Sequence, residues 1–141
     1  MQPAATRFVG IDPGLVKCGY ASVSAEGERL ALEIVPSADI VSRLASDVDL
    51  GIAMVCIGDA TRSADVLSRV RERWPALPIC VVDERNTSLQ ARRRYYEDHP
   101  PRGIMRLVPR GLLVPKEPLD GYAALLIVER YLKGTALAVR R

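Results

Sequence analysis

The sequence predicts an α/β fold: a three-strand antiparallel meander followed by parallel strands separated by helices. Three observations predict it. Residues 8–35 fall into strand-length pieces divided by turn residues. Residues 52–57 and 79–82 are unbroken apolar runs, too short for a helix core and without polar alternation. Apolar residues at helical spacing fill the segments between and after those runs.

The elements follow in order. Phe8–Asp12 is an apolar run that closes on a carboxylate, and Pro13-Gly14 turns the chain at once. Gly19–Ser24 alternates Tyr20, Ser22 and Ser24 against Ala21 and Val23, as a half-exposed strand does. Glu26-Gly27-Glu28 is a turn, and Leu30–Val35 is the third strand. Ser37 is placed to cap a helix to about Asp47, with Ile40, Val41 and Leu44 inward. Ile52–Ile57 is a buried strand that ends on Gly58-Asp59. Ala60, Ala64, Leu67, Val70 and Trp74 share helical spacing until Pro75 stops them. Pro78 opens a second buried strand, Ile79–Val82, which ends on Asp83-Glu84, and the strand–helix–strand unit implies a right-handed parallel crossover. Thr87 or Ser88 caps a helix to about Glu97. Residues 98–118 are rich in Pro, Gly and Arg and have no period, which suits a functional loop. Leu119–Lys133 is a helix with Ala123, Ala124, Ile127 and Tyr131 inward, and Gly134 stops it. Residues 1–141 are expected to form one domain.

Composition narrows the chemistry. No apolar run approaches the ~20 residues of a membrane span, and the N-terminus lacks a signal-peptide pattern, so a cytoplasmic protein is expected. Cys18, Cys56 and Cys80 are an odd set, two of them inside apolar runs, and are expected to be reduced core thiols. A single histidine, His99, and the lack of a Cys-x-x-Cys pair argue against a zinc site or a Ser-His-Asp triad. A metal held here would take oxygen ligands, which points to Mg²⁺ or Mn²⁺. Charge is uneven. Residues 85–116 hold eight basic groups (Arg85, Arg92, Arg93, Arg94, Arg102, Arg106, Arg110 and Lys116) against Glu97 and Asp98. The window is therefore +6, leaving −3 for the rest of a chain whose total is +3. Such concentration suits an anionic partner, nucleic acid first; a solvated helix face plus loop is the plainer alternative.

Acids occupy comparable places on three elements. Asp12 closes the first strand, Asp83 and Glu84 close the last, and Asp120 begins the final helix on its sheet-facing side. In parallel α/β sheets the carboxyl ends of strands form the ligand crevice. Each acid has a structural alternative: Asp12 as a turn residue before Pro-Gly, Asp83 and Glu84 as loop polars, Asp120 as a helix-end charge. Their conjunction favours a metal site. Clustered carboxylates repel unless cations neutralise them, and divalent ions so held can activate water at a phosphodiester. Arg85 would then contact the scissile phosphate, and Arg92, Arg93 and Arg94 would track the backbone, although one helix turn cannot aim all three at one target.

Gly10-Ile11-Asp12-Pro13-Gly14 with Gly19-Tyr20-Ala21, Val82–Ser88 with Ala91, and Leu119–Ile127 with Tyr131-Leu132 together resemble the YqgF/RuvX family. Its members are small RNase H-like proteins, described as Holliday junction resolvases and as nucleases maturing the 5′ end of pre-16S rRNA. The resemblance spans nearly the whole chain, and Asp83-Glu84-Arg85-Asn86-Thr87-Ser88 is its most specific part. It implies an RNase H-like, five-stranded mixed sheet with helices on both faces. It also implies Asp12, Glu84 and Asp120 as catalytic, metal-binding acids, with Asp83 as a further candidate ligand. Pro13 stands where the family has Tyr or another residue, and Leu15-Val16-Lys17-Cys18-Gly19 replaces its Lys-Arg-Ile-Gly. The Asp-Pro-Gly form is closer to RuvC resolvases. Those carry a catalytic acid near the fourth strand's end, which makes Asp59 a further candidate beside its alternative as a helix cap. The resemblance implies metal-dependent hydrolysis of phosphodiesters in structured nucleic acid, first in pre-16S rRNA 5′-end processing and alternatively in Holliday junction resolution. The implied partners are RNA or branched DNA, including ribosomal precursor particles, and two cuts in a junction would require a homodimer. A non-catalytic binding factor is the competing class, and an actin-like ATPase would need a much longer chain.

Overall fold

The computed structural model describes residues 6–59, 62–83, 87–108, 120–134 and 136–140. The meander is present: β1 (Arg7–Asp12) pairs antiparallel with β2 (Lys17–Ser24), and β2 with β3 (Arg29–Pro36). β4 (Ile52–Gly58) runs parallel to β1, and β5 (Ile79–Val82) parallel to β4. β6 (Ala136–Arg140) joins β5 antiparallel, giving the order β3-β2-β1-β4-β5-β6. The expected mixed sheet is thus in place, and β6 extends it beyond the five strands foreseen. Gly134, at φ 84°, turns the chain back from the final helix so that a short tail covers the otherwise open side of β5.

Helices cover both faces. α1 (Ile40–Leu50) and α2 (Ser63–Arg73) place Ile40, Leu44, Val66 and Val70 on Val9, Ile11, Tyr20, Val55, Ile57 and Ile79. On the opposite face, α4 (Asp120–Leu132) sets Ala124, Leu125, Ile127 and Val128 on Ala21, Val23, Cys56, Cys80 and Val82. α3 (Thr87–Asp98) packs outside α4, where Ala91, Tyr95 and Tyr96 meet Tyr122 and Leu126. This second layer explains why α4 is buried continuously from Gly121 to Val128 and not along a single stripe. Cys18, Cys56 and Cys80 are buried free thiols, and burial pushes the Cys56 thiol upward. Among the described residues no helix is long and apolar enough to cross a membrane.

Some boundaries depart from expectation for local reasons. Ser37 does not cap α1. It opens a 3-10 turn, Ser37–Asp39, and its hydroxyl donates to the Gly14 carbonyl at 2.7 Å. α1 continues to Leu50 and stops at Gly51, where φ is 101°. Asp47 is not a helix end but a buried acceptor, 2% exposed. It takes hydrogen bonds from Arg7 Nη1 (2.6 Å), Arg43 Nη1 (3.0 Å) and the Tyr20 hydroxyl. The described helix α2 begins at Ser63, with Val66 inward and Ala64 exposed. The N-cap position of α2 is Arg62, and Asp59 precedes it by three residues. The loop expected over 98–118 includes a 3-10 turn, Gly103–Leu107, in its described part.

Candidate active site

β1 delivers Asp12 to the end of the sheet. Its apolar residues lock the strand between β2 and β4, and Asp12 lies half-buried opposite Gly19 in the antiparallel register. The turn after it works differently from a simple Asp-Pro-Gly reading. Gly14 does not use a left-handed backbone; a Cβ there would fall 2.1 Å from the Lys17 carbonyl oxygen. The loop folds tightly on itself, and Ser37 pins it through the Gly14 carbonyl and through its own N–H to the Val16 carbonyl at 2.8 Å. Leu15 and Val16 stand out at the tip, 69% and 78% exposed.

Two glycines bring α4 onto the acid. A Cβ on Gly10 would fall 2.2 Å from the Ala124 carbonyl oxygen. One on Gly19 would fall 1.7 Å from the Asp120 carbonyl oxygen and 3.2 Å from the Asp12 Cβ. α4 therefore lies against bare backbone at β1 and β2, and its first residue, Asp120, arrives beside Asp12. The Asp120 side chain is 35% exposed, and its Oδ2 lies 3.6 Å from Lys17 Nζ. Lys17 and Gly19 share one face of β2, so the lysine, the bare position and the start of α4 occupy one corner with Asp12. In the sequence Lys17 was legible only as a departure from the family's Lys-Arg-Ile-Gly; its spacing of two from Gly19 was the available signal.

The remaining acids are placed less closely. Asp59 follows β4, is exposed, and uses its N–H to continue the β4–β5 ladder to the Val82 carbonyl at 3.0 Å. Asp83 follows β5, half-buried, and its carbonyl accepts from Arg130 Nη1 at 2.6 Å. Both lie at the same end of the sheet as Asp12, the carboxyl ends of β1, β4 and β5. Glu84 lies outside the described residues. Among the described residues no three His, Cys, Asp or Glu side chains converge as a metal cage. The juxtaposition of Asp12 with the main chain of Asp120 across Gly19 is what the described chain shows. It suits a hard divalent ion: the donors are carboxylate oxygens, the intervening position carries no side chain, and a cation already sits against one of them.

The basic residues divide. Arg94 is committed to the fold, with Nη1 2.5 Å from Glu129 Oε1 and Nε 3.5 Å from Glu97 Oε2. The pair with Glu129 ties α3 to α4. Arg92 is half-buried, while Arg93, Arg102 and Arg106 are exposed. Arg85, Arg110 and Lys116 lie outside the described residues. At the end of α3, Asp98 accepts from the Tyr122 hydroxyl at 2.7 Å and from Arg29 Nη1 at 2.9 Å. The Tyr122 hydroxyl, then Arg29, holds the Asp98 carboxyl below the usual range. Burial and the Asp98 carboxylate push the Tyr122 phenol up to about 12.

Neither a family model nor a curated protein matches the chain at a significant level. Solved structures do. A Thermus thermophilus RuvC in complex with a Holliday junction substrate aligns over 93% of this chain and 98% of its own, with a TM-score of 0.53 and 20% identity. A second structure of T. thermophilus RuvC aligns over 92% and 98%, with a TM-score of 0.51 and 19% identity. The fold is RNase H-like. At this identity the likeness carries the RNase H-like architecture, and the chemistry rests on the residues themselves.

Proposed function

We propose that this RNase H-like chain is a divalent-metal-dependent nuclease acting on structured nucleic acid. The observation that carries the reading is the meeting of Asp12 and Asp120 across Gly19 at the carboxyl end of the parallel strands. Asp12 and Asp120, with Glu84 from the segment after β5, would hold Mg²⁺ or Mn²⁺, with Asp59 or Asp83 as further ligands. The bound ion supplies charge neutralisation and an acidified water at the phosphodiester. The protein's part is positional. β1 and α4 fix the two carboxylates on rigid elements, so their oxygens need little reordering when the substrate arrives. The exposed Arg93, Arg102 and Arg106, and with them Arg92, Arg85, Arg110 and Lys116, would neutralise the strand's phosphates.

Two substrates follow from two different observations. Four-way DNA junctions come first: one neighbour that aligns over most of both chains is a RuvC in complex with a Holliday junction substrate. Cutting both strands of a junction would call for two copies of the chain. The second is the 5′ leader of pre-16S rRNA within ribosomal precursor particles, favoured by the YqgF/RuvX-like segment Val82–Ser88.

The test is side-by-side cleavage of a four-way junction and an rRNA precursor with Mg²⁺ or Mn²⁺, for wild type and Asp12→Asn. Cleavage of either substrate by wild type, lost in Asp12→Asn with binding retained, is expected. Binding without cleavage under both metals would instead favour a nucleic-acid-binding assembly factor. Equal cleavage by wild type and Asp12→Asn would place the chemistry elsewhere.

A further inference from the structure

Lys17 is not among the residues by which this fold was expected to act, yet it stands at the acids. β2 begins with it, and its side chain leaves the same face as Gly19, the position over which Asp120 arrives. Its ammonium is 3.6 Å from Asp120 Oδ2, and both side chains are partly open to solvent, 51% and 35%. The strand end is also held still. The loop before Lys17 is fixed by Ser37 to Gly14 and Val16, and Lys17 is in register with Pro36 on β3. An ammonium held there neutralises the Asp120 carboxylate, next to the strand end that carries Asp12. A divalent ion entering at Asp120 must displace that ammonium or bind beside a like charge.

We propose that Lys17 is a built-in counter-cation of the carboxylate pair, which keeps the acids compatible without metal and lowers the site's affinity for a divalent ion. The inference rests on the proposed metal site and adds to it a positioning residue that sets the metal concentration at which the site fills. An exposed pair of this kind is weak, so the effect is modest: removing the charge should tighten metal binding roughly threefold to tenfold.

The experiment is calorimetric titration of the metal-free chain with MnCl₂ alone, for wild type, Lys17→Met, Lys17→Arg and, as a distant control in the exposed turn after α4, Lys133→Met. The expected result is tighter Mn²⁺ binding by Lys17→Met, with wild-type affinity in Lys17→Arg and Lys133→Met. Equal affinity in wild type and Lys17→Met, or weaker binding in Lys17→Met, overturns the counter-cation proposal and leaves the metal site standing. No Mn²⁺ binding by either protein overturns the metal site, and this proposal with it. The readout is binding of the ion, which a merely structural lysine would not strengthen when removed.

Discussion

Gly19 lies directly under the main chain of Asp120: a Cβ at Gly19 would fall 1.7 Å from the Asp120 carbonyl oxygen. That atom belongs to backbone at a helix start, so no rotamer change relieves the overlap. Gly19→Ala must lift the beginning of α4 or push β2 aside. Overpacking of this kind costs about 1–3 kcal/mol. The functional cost should be larger than the loss of stability, because the shift separates Asp120 from Asp12. Gly19→Ala should fold with a lowered urea midpoint and show strongly reduced metal-dependent cleavage at temperatures where it remains native. Wild-type cleavage by a folded Gly19→Ala protein would mean that Asp120 need not sit against β2.

This relationship marks how far the sequence could be read. The acid-bearing ends of β1 and α4 were legible because a strand period and a helix period each place one residue at a boundary. Neither period reports which atom lies across from which. The contact of Gly19 with Asp120 joins residues a hundred positions apart and arises from α4 crossing the sheet. Lys17 escaped notice for the same reason, since its partner is supplied by tertiary structure. Asp47 looked like an ordinary helix-end acid because nothing local reveals that Arg7 from β1 and Tyr20 from β2 converge on it. β6 was missed because residues 136–140 follow a good helix stop and are too few to show a period.

The Asp47 cluster should be a stability centre remote from the chemistry. Its carboxylate is 2% exposed and satisfies Arg7, Arg43 and the Tyr20 hydroxyl at once, with Arg43 also stacked over the Tyr20 ring at 4.4 Å. Asp47→Ala leaves two guanidinium groups and a buried phenol without their common acceptor. Breaking such a pair from one side costs about 3–5 kcal/mol when both partners are fully buried, and the lower end applies to arginines that retain some access to water. Urea unfolding should show a loss of about 3 kcal/mol for Asp47→Ala, with Mn²⁺ affinity unchanged under native conditions. A loss below about 1 kcal/mol would show that water replaces the carboxylate readily.

Arg93 and Arg94 are neighbours in sequence and should behave oppositely. Arg94 is spent on Glu129 and Glu97, whereas Arg93 is exposed. If α3 tracks a nucleic-acid backbone, Arg93→Ala should reduce the slope of log affinity against log salt by about 0.9 for duplex DNA. Arg94→Ala should leave that slope alone and lower stability by about 1 kcal/mol, through loss of the α3–α4 tie. Fluorescence anisotropy with a labelled four-way junction at several salt concentrations separates the two. A slope change in Arg94→Ala without one in Arg93→Ala would reverse the assignment of the helix faces.

Tyr122 and Asp98 predict an alkaline limb in the stability profile. The phenol is raised from an ordinary value near 10 to about 12, chiefly by burial and then by its hydrogen bond to the Asp98 carboxylate. A folded-state value above the unfolded one means that the neutral phenol is favoured in the native protein. Its contribution is therefore complete below about pH 10 and is lost as pH rises through about 12. Asp98 is shifted the other way, so its contribution is present above the ordinary carboxylate range and fades as pH falls through its lowered value. Tyr122→Phe removes the phenol from this linkage without emptying the space its ring fills between α3 and α4. The difference in urea midpoint between wild type and Tyr122→Phe should hold steady across neutral pH and shrink between about pH 10 and 12. Tyr20, also raised by burial and by Asp47, is common to both proteins and cancels in that difference. A difference that persists undiminished to pH 12 would show that the Tyr122 hydroxyl is not held neutral by its site.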